Sequence, residues 1–280
     1  MSVQDVPILS FFCWRFFPLT VTMAAMKAIL SDMDGVIYRG KALIPGASEF
    51  ISRLQQSGTP FLFLTNNSEQ TALDLVRKLA GLGVADLAES NFLTSAMATA
   101  KFLASQKPHG TCYVIGGSGL VNELYKAGFS ITETAPDYVV VGKTSGFNYD
   151  MLRKATRLIL GGAKFIGTNP DLVDPVEGGF EPAAGSLLAA LESATGKKPY
   201  IVGKPNALMM LIARKQLESH SSGTVMIGDR MDTDIVAGLE AGMTTCLVLT
   251  GVSKRESLDA FPYRPDHIFN HVGEIDPEKL

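Results

Sequence analysis

The sequence predicts an α/β protein, in which a parallel sheet with helices on both faces is interrupted by a second, inserted α/β unit. From residue 27 onward, short apolar runs alternate with stretches of helical periodicity, the pattern of parallel strands joined by helices. Several apolar runs end directly in polar residues, as strands do at the open edge of such sheets. The 280 residues suffice for one large or two medium domains.

The composition is that of a globular protein, with 46% hydrophobic and 19% charged residues. The net charge is -3 and no basic stripe is present, which disfavours a nucleic acid polymer as a partner. The three cysteines, Cys13, Cys112 and Cys246, are widely spaced and belong to no paired Cys/His motif. This pattern indicates a reducing compartment and no zinc site, so we expect a cytoplasmic protein.

The first 25 residues differ from the rest of the chain. The stretch 8–17 is apolar and aromatic, but Arg15 and Pro18 interrupt it. It lacks the basic start of a signal peptide and is too short and broken for a membrane span. We interpret residues 1–25 as a disordered extension from an upstream start codon. The alternative is a membrane-attaching segment, which this composition disfavours.

The first unit alternates strands and helices in a simple order. An apolar strand over residues 28–30 precedes a helix over 47–56. A second strand over 61–64 precedes a helix that we expect Ser68 to cap. Another helix is predicted over 95–104.

The inserted unit repeats this alternation. Strands are predicted over residues 113–115, 138–141 and 164–166, and helices over 118–126, 149–160 and 182–191. Asn148 is a suitable N-cap for the second of these helices. The stretch 172–181 is rich in glycine, proline and acidic residues and is predicted to be a loop. Residues 196–199 are predicted to be a linker.

After the linker the first pattern resumes. We predict a helix capped by Asn206, a strand over 224–227, a helix over 235–241 and a strand over 245–249. The simplest interpretation is a core domain formed by residues 26–95 and 200–280, interrupted by an inserted domain over residues 96–199.

The most informative segment is Asp32-Met33-Asp34-Gly35, at the end of the first strand. Side chains two positions apart in a strand share a face, so Asp32 and Asp34 would project into one small volume. Neighbouring carboxylates stay ionised together only if a cation offsets their repulsion. The segment therefore favours a metal site. Its alternative is a strand followed by a solvated Asp-Gly turn.

Three further strand or loop ends carry polar groups, namely Thr65 with Asn66, Lys204, and Asp229 with Asp234. If the strands are neighbours in one sheet, these groups meet in one crevice. The carboxylates offer the hard oxygen ligands that Mg²⁺ prefers, and Thr65 and Lys204 offer donors for phosphate oxygens. Together they indicate phosphoryl transfer.

Each of these residues alone has a plainer interpretation. Lys204 could be a surface lysine before a helix, and Thr65 with Asn66 could cap the next helix. Asp229 and Asp234 could be acids favoured by a helix dipole. Their joint occurrence with the first acidic pair favours a shared site.

The four motifs resemble those of the haloacid dehalogenase (HAD) superfamily, which has DxDG, a threonine closing a strand, a lysine opening a helix and GDxxxTD. The resemblance covers about residues 27–276, and the insertion resembles the class II caps. Six segments are similar to the NagD-type subfamily (class IIA), especially its ribonucleotide monophosphatases: LTNN, FLTSAMATAKFL, NELYKAGF, FIGTNPD, VGKP and PYRPD.

The resemblance implies a Rossmann-like core and a Mg²⁺-dependent phosphatase for small phosphorylated metabolites. Asp32 would be the nucleophile that forms an aspartyl-phosphate, and Asp34 the general acid and base. Asp32, the backbone carbonyl of Asp34 and Asp229 would bind Mg²⁺, with Asp234 behind them. The phosphoryl oxygens would be held by Thr65, Asn66 and Lys204.

The insertion is expected to cover the crevice, exclude water and supply substrate contacts. The resemblance points to residues 172–179 as a specificity element. Asn169 and Asp171 would contact substrate there or form a structural turn. Arg230 and Asp232 are expected on a solvated face.

Ribonucleoside 5′-monophosphates are the substrates that the resemblance implies. Pyridoxal phosphate, phosphoglycolate and nitrophenyl phosphate are alternatives from the same subfamily. The alternative of another class is a non-catalytic phosphate-binding regulator.

Overall fold

The computed structural model describes residues 28–176 and 178–280, so the predicted N-terminal extension lies outside the described residues. The larger sheet has six strands, all parallel. Across the sheet these are β15 (His267–Phe269), β14 (Thr244–Val248), β13 (Thr224–Gly228), β1 (Ala28–Asp32), β4 (Phe61–Thr65) and β5 (Phe92–Thr94). The predicted parallel sheet is confirmed, and it gains the short edge strands β5 and β15.

A second parallel sheet forms within the insertion. Across this sheet its strands are β12 (Tyr200–Ile201), β9 (Lys164–Gly167), β8 (Tyr138–Val141), β6 (Thr111–Ile115) and β7 (Ser130–Ile131). The strand β12 pairs with this sheet, although the sequence assigns residues 200–280 to the core. The edge strands β7 and β12 have two residues each, too few for a periodicity to predict them.

Eight α-helices are described. They are α1 (Ala47–Ser57), α2 (Ala72–Gly81), α3 (Ser95–Gln106), α4 (Ser118–Lys126), α5 (Tyr149–Leu160), α6 (Ala184–Thr195), α7 (Ala207–Gln216) and α8 (Val236–Glu240). One π-helical turn, Met231–Ile235, leads into α8. The predicted caps are confirmed for α5 and α7, where Asn148 and Asn206 accept hydrogen bonds from backbone N–H groups of the first turn.

The predicted cap of α2 is wrong. Thr71, not Ser68, caps this helix, because Thr71 and Asp74 form a reciprocal capping box. Ser68 is instead buried against the insertion, where its hydroxyl accepts a hydrogen bond from the backbone N–H of Lys143 at 3.3 Å.

The loop predicted over residues 172–181 is also wrong, since β10 (Val173–Val176) and β11 (Gly179–Pro182) form an antiparallel hairpin. Asp174 and Glu181 are cross-strand partners, and like charges in such a pair repel. The ammonium of Lys143 lies 2.8 Å from Asp174 and 3.8 Å from Glu181 and offsets this repulsion. A second hairpin, β2 (Tyr38–Arg39) with β3 (Ala42–Leu43), follows β1.

The two sheets share a continuous apolar cluster. Leu30 and Leu62 of the larger sheet belong to it together with Leu120, Val140 and Ile166 of the insertion. The insertion is therefore packed onto the core. The segments that follow β4 and β9 meet at their carboxyl ends, where the amide of Asn66 donates a hydrogen bond to Asp171. Across the two described ranges, no helix has the length and apolar character needed to span a membrane.

Candidate active site

The four predicted strand and loop ends meet at the carboxyl edge of the larger sheet. Asp32 ends β1, Thr65 ends the neighbouring strand β4, and Asp229 follows β13 on the other side of β1. Lys204 comes from the segment between β12 and α7. Parallel neighbours with a common edge thus bring residues together that are far apart in the sequence.

Lys204 is the central cation of the crevice. Its side chain is 3% exposed, and its Nζ lies 2.5 Å from Oδ1 of Asp32 and 2.7 Å from Oδ1 of Asp234. Burial opposes the charge on this lysine, but the two carboxylates raise its pKa above the ordinary value. The lysine therefore stays charged and holds Asp32 in place.

Asp32, Asp229 and Asp234 form a buried carboxylate cluster, with one oxygen of each within 4.8 Å of the others. Burial raises the pKa of all three, to about 6 for Asp234, and at Asp229 the like charges of the other two add to the shift. Three acids facing one lysine leave surplus negative charge, and their oxygens are the donors that a hard divalent cation takes. The residues present therefore fit a metal ion.

This cluster includes two of the predicted metal ligands, Asp32 and Asp229. Asp234, predicted to lie behind them, belongs to the same cluster and also pairs with Lys204. The carboxylate of Asp34 lies outside this cluster. This agrees with the prediction that Asp34 would bind the metal through its backbone carbonyl and not through its side chain.

Gly35 allows the first motif to approach this cluster. It has a φ of +81°, and a Cβ at this position would lie 2.6 Å from Oδ2 of Asp229. Any other residue would strain the backbone and displace this carboxylate.

Asp34 occupies a different environment at the mouth of the crevice. Its carboxylate reaches solvent, yet the surrounding protein atoms desolvate it and raise its pKa. Tyr38 donates a hydrogen bond to its Oδ2 at 3.0 Å, and the ammonium of Lys78 lies 3.6 Å from the centre of the Tyr38 ring. Lys78 and Tyr38 both oppose the rise. No motif in the sequence predicted either residue, although Tyr38 follows Asp34 by only four positions.

Thr65 and Asn66 make different contacts. The buried hydroxyl of Thr65 accepts a hydrogen bond from the backbone N–H of Asn67 at 3.1 Å. The side-chain amide of Asn66 accepts from the backbone N–H of Lys204 at 2.9 Å and donates to its carbonyl at 3.0 Å. It also donates to Asp171 at 2.9 Å. The Asn66 side chain is thus engaged with the protein itself.

Asn169 and Asp171 lie within the same network. Both are buried, and the amide of Asn169 donates to Oδ2 of Asp171 at 2.9 Å. The interpretation of Arg230 as a solvated residue is wrong, because its guanidinium donates to Oδ1 of Asp171 at 3.0 Å and its side chain is 29% exposed. Asp232, the other partner of Arg230, is half-exposed.

The arrangement combines two chemical capabilities. A buried carboxylate fixed by an ammonium, beside acids that fit a cation, can act as a nucleophile toward an anionic group because the positive charges offset repulsion. A nearby carboxyl with a raised pKa can give and take a proton. Within the predicted specificity segment, residues 173–176 and Gly179 belong to the strands of the β10–β11 hairpin, whose Asp174 contacts Lys143.

The sequence of the chain matches profiles of a known protein family and two characterised relatives. A sequence profile of haloacid dehalogenase-like hydrolases matches residues 29–130, and a second HAD-hydrolase-like profile matches residues 201–275. The chain is 45% identical to the ribonucleotide monophosphatase NagD of Escherichia coli K12 over 90% of this chain and 98% of that protein. It is also 45% identical to a dihydroxyacetone phosphatase of Corynebacterium glutamicum, over 90% and 92% of the two chains.

Solved structures agree with this placement. The structure of E. coli NagD matches with a TM-score of 0.86 and 44% identity, covering 90% of this chain and 99% of that one. A p-nitrophenyl phosphatase from Archaeoglobus fulgidus matches with a TM-score of 0.85 and 35% identity, covering 91% and 100%. The resemblance inferred from the motifs and the expected fold are therefore confirmed. The chain belongs to the haloacid dehalogenase-like hydrolases and is a homologue of the NagD-type phosphatases.

Proposed function

We propose that this chain is a Mg²⁺-dependent cytoplasmic phosphatase that hydrolyses small phosphomonoesters, with ribonucleoside 5′-monophosphates as its substrates. One observation carries the proposal: the ammonium of Lys204 lies 2.5 Å from Asp32 within the buried carboxylate cluster. A nucleophilic carboxylate must be shielded from the negative phosphate that it attacks, and this placement supplies the shield.

The reaction follows in two steps. An oxygen of Asp32 forms a bond to phosphorus while the ester P–O bond breaks, and Asp34 gives its proton to the leaving oxygen. Water then attacks the phosphorus of the aspartyl-phosphate while Asp34 takes a proton from that water. The bond between phosphorus and Asp32 breaks, which restores the carboxylate and releases inorganic phosphate. Desolvation raises the pKa of Asp34, which favours the protonated form that the first step requires. Lys204 and Thr65 would hold the phosphoryl oxygens in both steps.

Mg²⁺ would be held by Asp32, Asp229 and the backbone carbonyl of Asp34, with Asp234 adjacent. When bound, it would supply positive charge and orient the phosphoryl group for in-line attack. The candidate metal ligands on this edge are all oxygen atoms, which suit Mg²⁺ better than a thiol-preferring metal.

The substrate proposal is supported by the insertion and by the relatives. The insertion packs onto the core and contacts it beside the site through Asp171, so small phosphate esters suit the site better than phosphorylated proteins. E. coli NagD is named as a ribonucleotide monophosphatase, and the equally similar relative as a dihydroxyacetone phosphatase.

The substrate is tested by measuring kcat/KM for a panel of phosphate esters. The panel contains UMP, GMP, dihydroxyacetone phosphate, pyridoxal phosphate, phosphoglycolate and p-nitrophenyl phosphate. Lower kcat/KM values for the nucleotides than for the other esters would contradict the proposal that ribonucleoside 5′-monophosphates are the substrates.

The nucleophile is tested with Asp32→Asn. We expect phosphate release to fall by about a thousandfold or more, because an amide cannot form the phosphoryl intermediate. Asp259→Asn is the matched control, since the Asp259 side chain is 92% exposed. Wild-type phosphate release should also stop on chelation and return with Mg²⁺. Retained turnover in Asp32→Asn would refute the nucleophile, whereas phosphate binding without turnover in the wild type would favour the non-catalytic regulator.

A further inference from the structure

Asp171 lies in the insertion, and its side chain contacts both the insertion and the core. Its Oδ2 accepts hydrogen bonds from the amides of Asn66 and Asn169, both at 2.9 Å, and its Oδ1 accepts one from Arg230 at 3.0 Å. The side chain is only 8% exposed. A carboxylate offers about four acceptor sites. Three are used by the protein, and the guanidinium balances the charge, so little of Asp171 is left for a substrate.

The contact with Asn66 leads directly to Lys204. The amide of Asn66 binds both the backbone N–H and the backbone carbonyl of Lys204, at 2.9 and 3.0 Å. Its Nδ2 donates to that carbonyl and to Asp171, so the orientation of the amide depends on both partners. Asp171 therefore holds the side-chain amide of Asn66 in place, and this amide in turn holds the backbone of Lys204.

The backbone before Lys204 is confined by both units. A Cβ on Gly203 would lie 2.7 Å from Oδ1 of Asn66 and 2.5 Å from the carbonyl oxygen of Thr168. The backbone N–H of Gly203 also donates to that carbonyl at 2.8 Å. This close approach leaves the Lys204 backbone little freedom to move independently of the insertion.

A second connection runs from Asp171 through Arg230 to the carboxylate cluster. Arg230 directly follows Asp229, and its backbone N–H donates to Oδ2 of Asp234 at 3.1 Å. Its guanidinium spans Asp171 and Asp232. The insertion is thus joined to both segments whose charged groups face Asp32.

We propose that Asp171 is a positioning residue that acts through Asn66 to hold Lys204 against Asp32, and that it does not contact the substrate. Its effect on turnover rests on the proposed phosphatase function, but its effect on Lys204 does not. The opposing interpretation is the substrate contact that the family resemblance implies for this residue.

The kinetic test uses Asp171→Asn. The new amide keeps one oxygen and replaces the other with an NH₂ group, so a donor faces either the amides of Asn66 and Asn169 or the guanidinium of Arg230. We expect kcat to fall about tenfold or more, because small displacements of catalytic groups lower rates steeply. The fall in kcat should be equal for UMP and p-nitrophenyl phosphate, and any change in KM should also be equal, because Lys204 would hold the phosphoryl group that both substrates share. Asp150→Asn is the control, since this residue of the insertion is 81% exposed. A rise in KM that differs between the two substrates would overturn the proposal in favour of substrate contact.

A double variant tests the route through Asn66. If Asp171 acts through this amide, Asp171→Asn should have almost no additional effect on kcat in an Asn66→Ala background. Independent, multiplicative effects would show that Asp171 acts by another route and would overturn the proposal.

Hydrogen exchange tests the coupling without any turnover. The backbone N–H of Lys204 is protected by Oδ1 of Asn66, so Asp171→Asn should speed exchange in the peptide that contains Lys204. Peptides from β1 and β13 should not change, which separates loss of positioning from general destabilisation. Asp171→Ala, which removes the carboxylate without adding a donor, is the second variant if Asp171→Asn does not fold. Unchanged exchange at Lys204 in the folded variant would overturn the proposal, whereas inactivity of the wild-type protein would overturn only the proposed function.

Discussion

Two carboxylates separated by one residue have different environments in this site. Asp32 points into the buried cluster and pairs with Lys204, whereas Asp34 lies at the crevice mouth and accepts a hydrogen bond from Tyr38. Desolvation raises the pKa of both, but the ammonium of Lys204 directly opposes the rise at Asp32. This difference matches a nucleophile that must be ionised beside a general acid that must carry a proton.

Tyr38→Phe tests whether the hydrogen bond from Tyr38 lowers the pKa of Asp34. The phenol stabilises the ionised carboxylate, so its removal should raise the pKa of Asp34 further. A general acid works in its protonated form, and kcat/KM therefore falls as pH rises through its pKa. We expect the alkaline limb of the pH profile of kcat/KM to move to higher pH in Tyr38→Phe.

The control for this variant is Tyr125→Phe, because Tyr125 is 57% exposed on the insertion. It should leave the profile unchanged. An alkaline limb that stays in place, or moves to lower pH, in Tyr38→Phe would show that Asp34 does not set that limb.

At the scale of the elements, the segments that follow the strands position the acids. Asp229 follows β13, and its Oδ2 accepts a hydrogen bond from the backbone N–H of Val252 at 2.7 Å, in the segment after β14. Neighbouring parallel strands therefore hold the carboxylate between them. The backbone approaches so closely that a Cβ on Gly251 would lie 1.7 Å from this oxygen.

Gly251→Ala should displace the Asp229 carboxylate. Because Asp229 is a proposed metal ligand, we expect the Mg²⁺ concentration for half-maximal activity to rise by about 10–100-fold. Gly81→Ala at the end of α2 is the matched control, since its added Cβ would meet no atom within 4 Å apart from its chain neighbours and the backbone of its own helix. An unchanged Mg²⁺ requirement in Gly251→Ala would contradict the role of Asp229 in metal binding.

At the scale of the whole molecule, folding itself assembles a charged cluster in a buried place. The burial of Asp32, Asp229 and Asp234 raises their pKa values, so the folded protein holds protons that the unfolded chain releases. Ionising these groups therefore destabilises the folded state, and the stability that they contribute at low pH is lost as pH rises from about 4 through the folded pKa of Asp234, about 6.

Mg²⁺ should reverse this dependence of stability on pH, because it binds the ionised carboxylates and so stabilises the folded protein most where they are charged. We expect Mg²⁺ to raise the thermal unfolding temperature more at about pH 7.5 than at about pH 5, measured against a chelator. Sodium chloride at the same ionic strength is the control for general screening. An equal gain at both pH values, or the same gain with sodium chloride, would show that these carboxylates do not bind the ion.

The sequence by itself determined the parallel sheet, the insertion and the residues whose strand ends meet in the crevice. These features depend on local signals: apolar periodicity, N-cap residues such as Asn148, and polar residues directly after apolar runs. The family motifs then predicted the charged residues of the site, and the structure places Asp32, Asp229 and Lys204 together.

Only the tertiary structure decided how the insertion meets the core. Asn66 and Asp171 are 105 positions apart, and neither carries a local signal for the other. The β10–β11 hairpin, whose glycines and prolines predicted a loop, likewise depends on the distant cation of Lys143. The physical reason is that periodicity reports which face of an element is buried, whereas the choice of a polar partner depends on distance and charge in the folded chain.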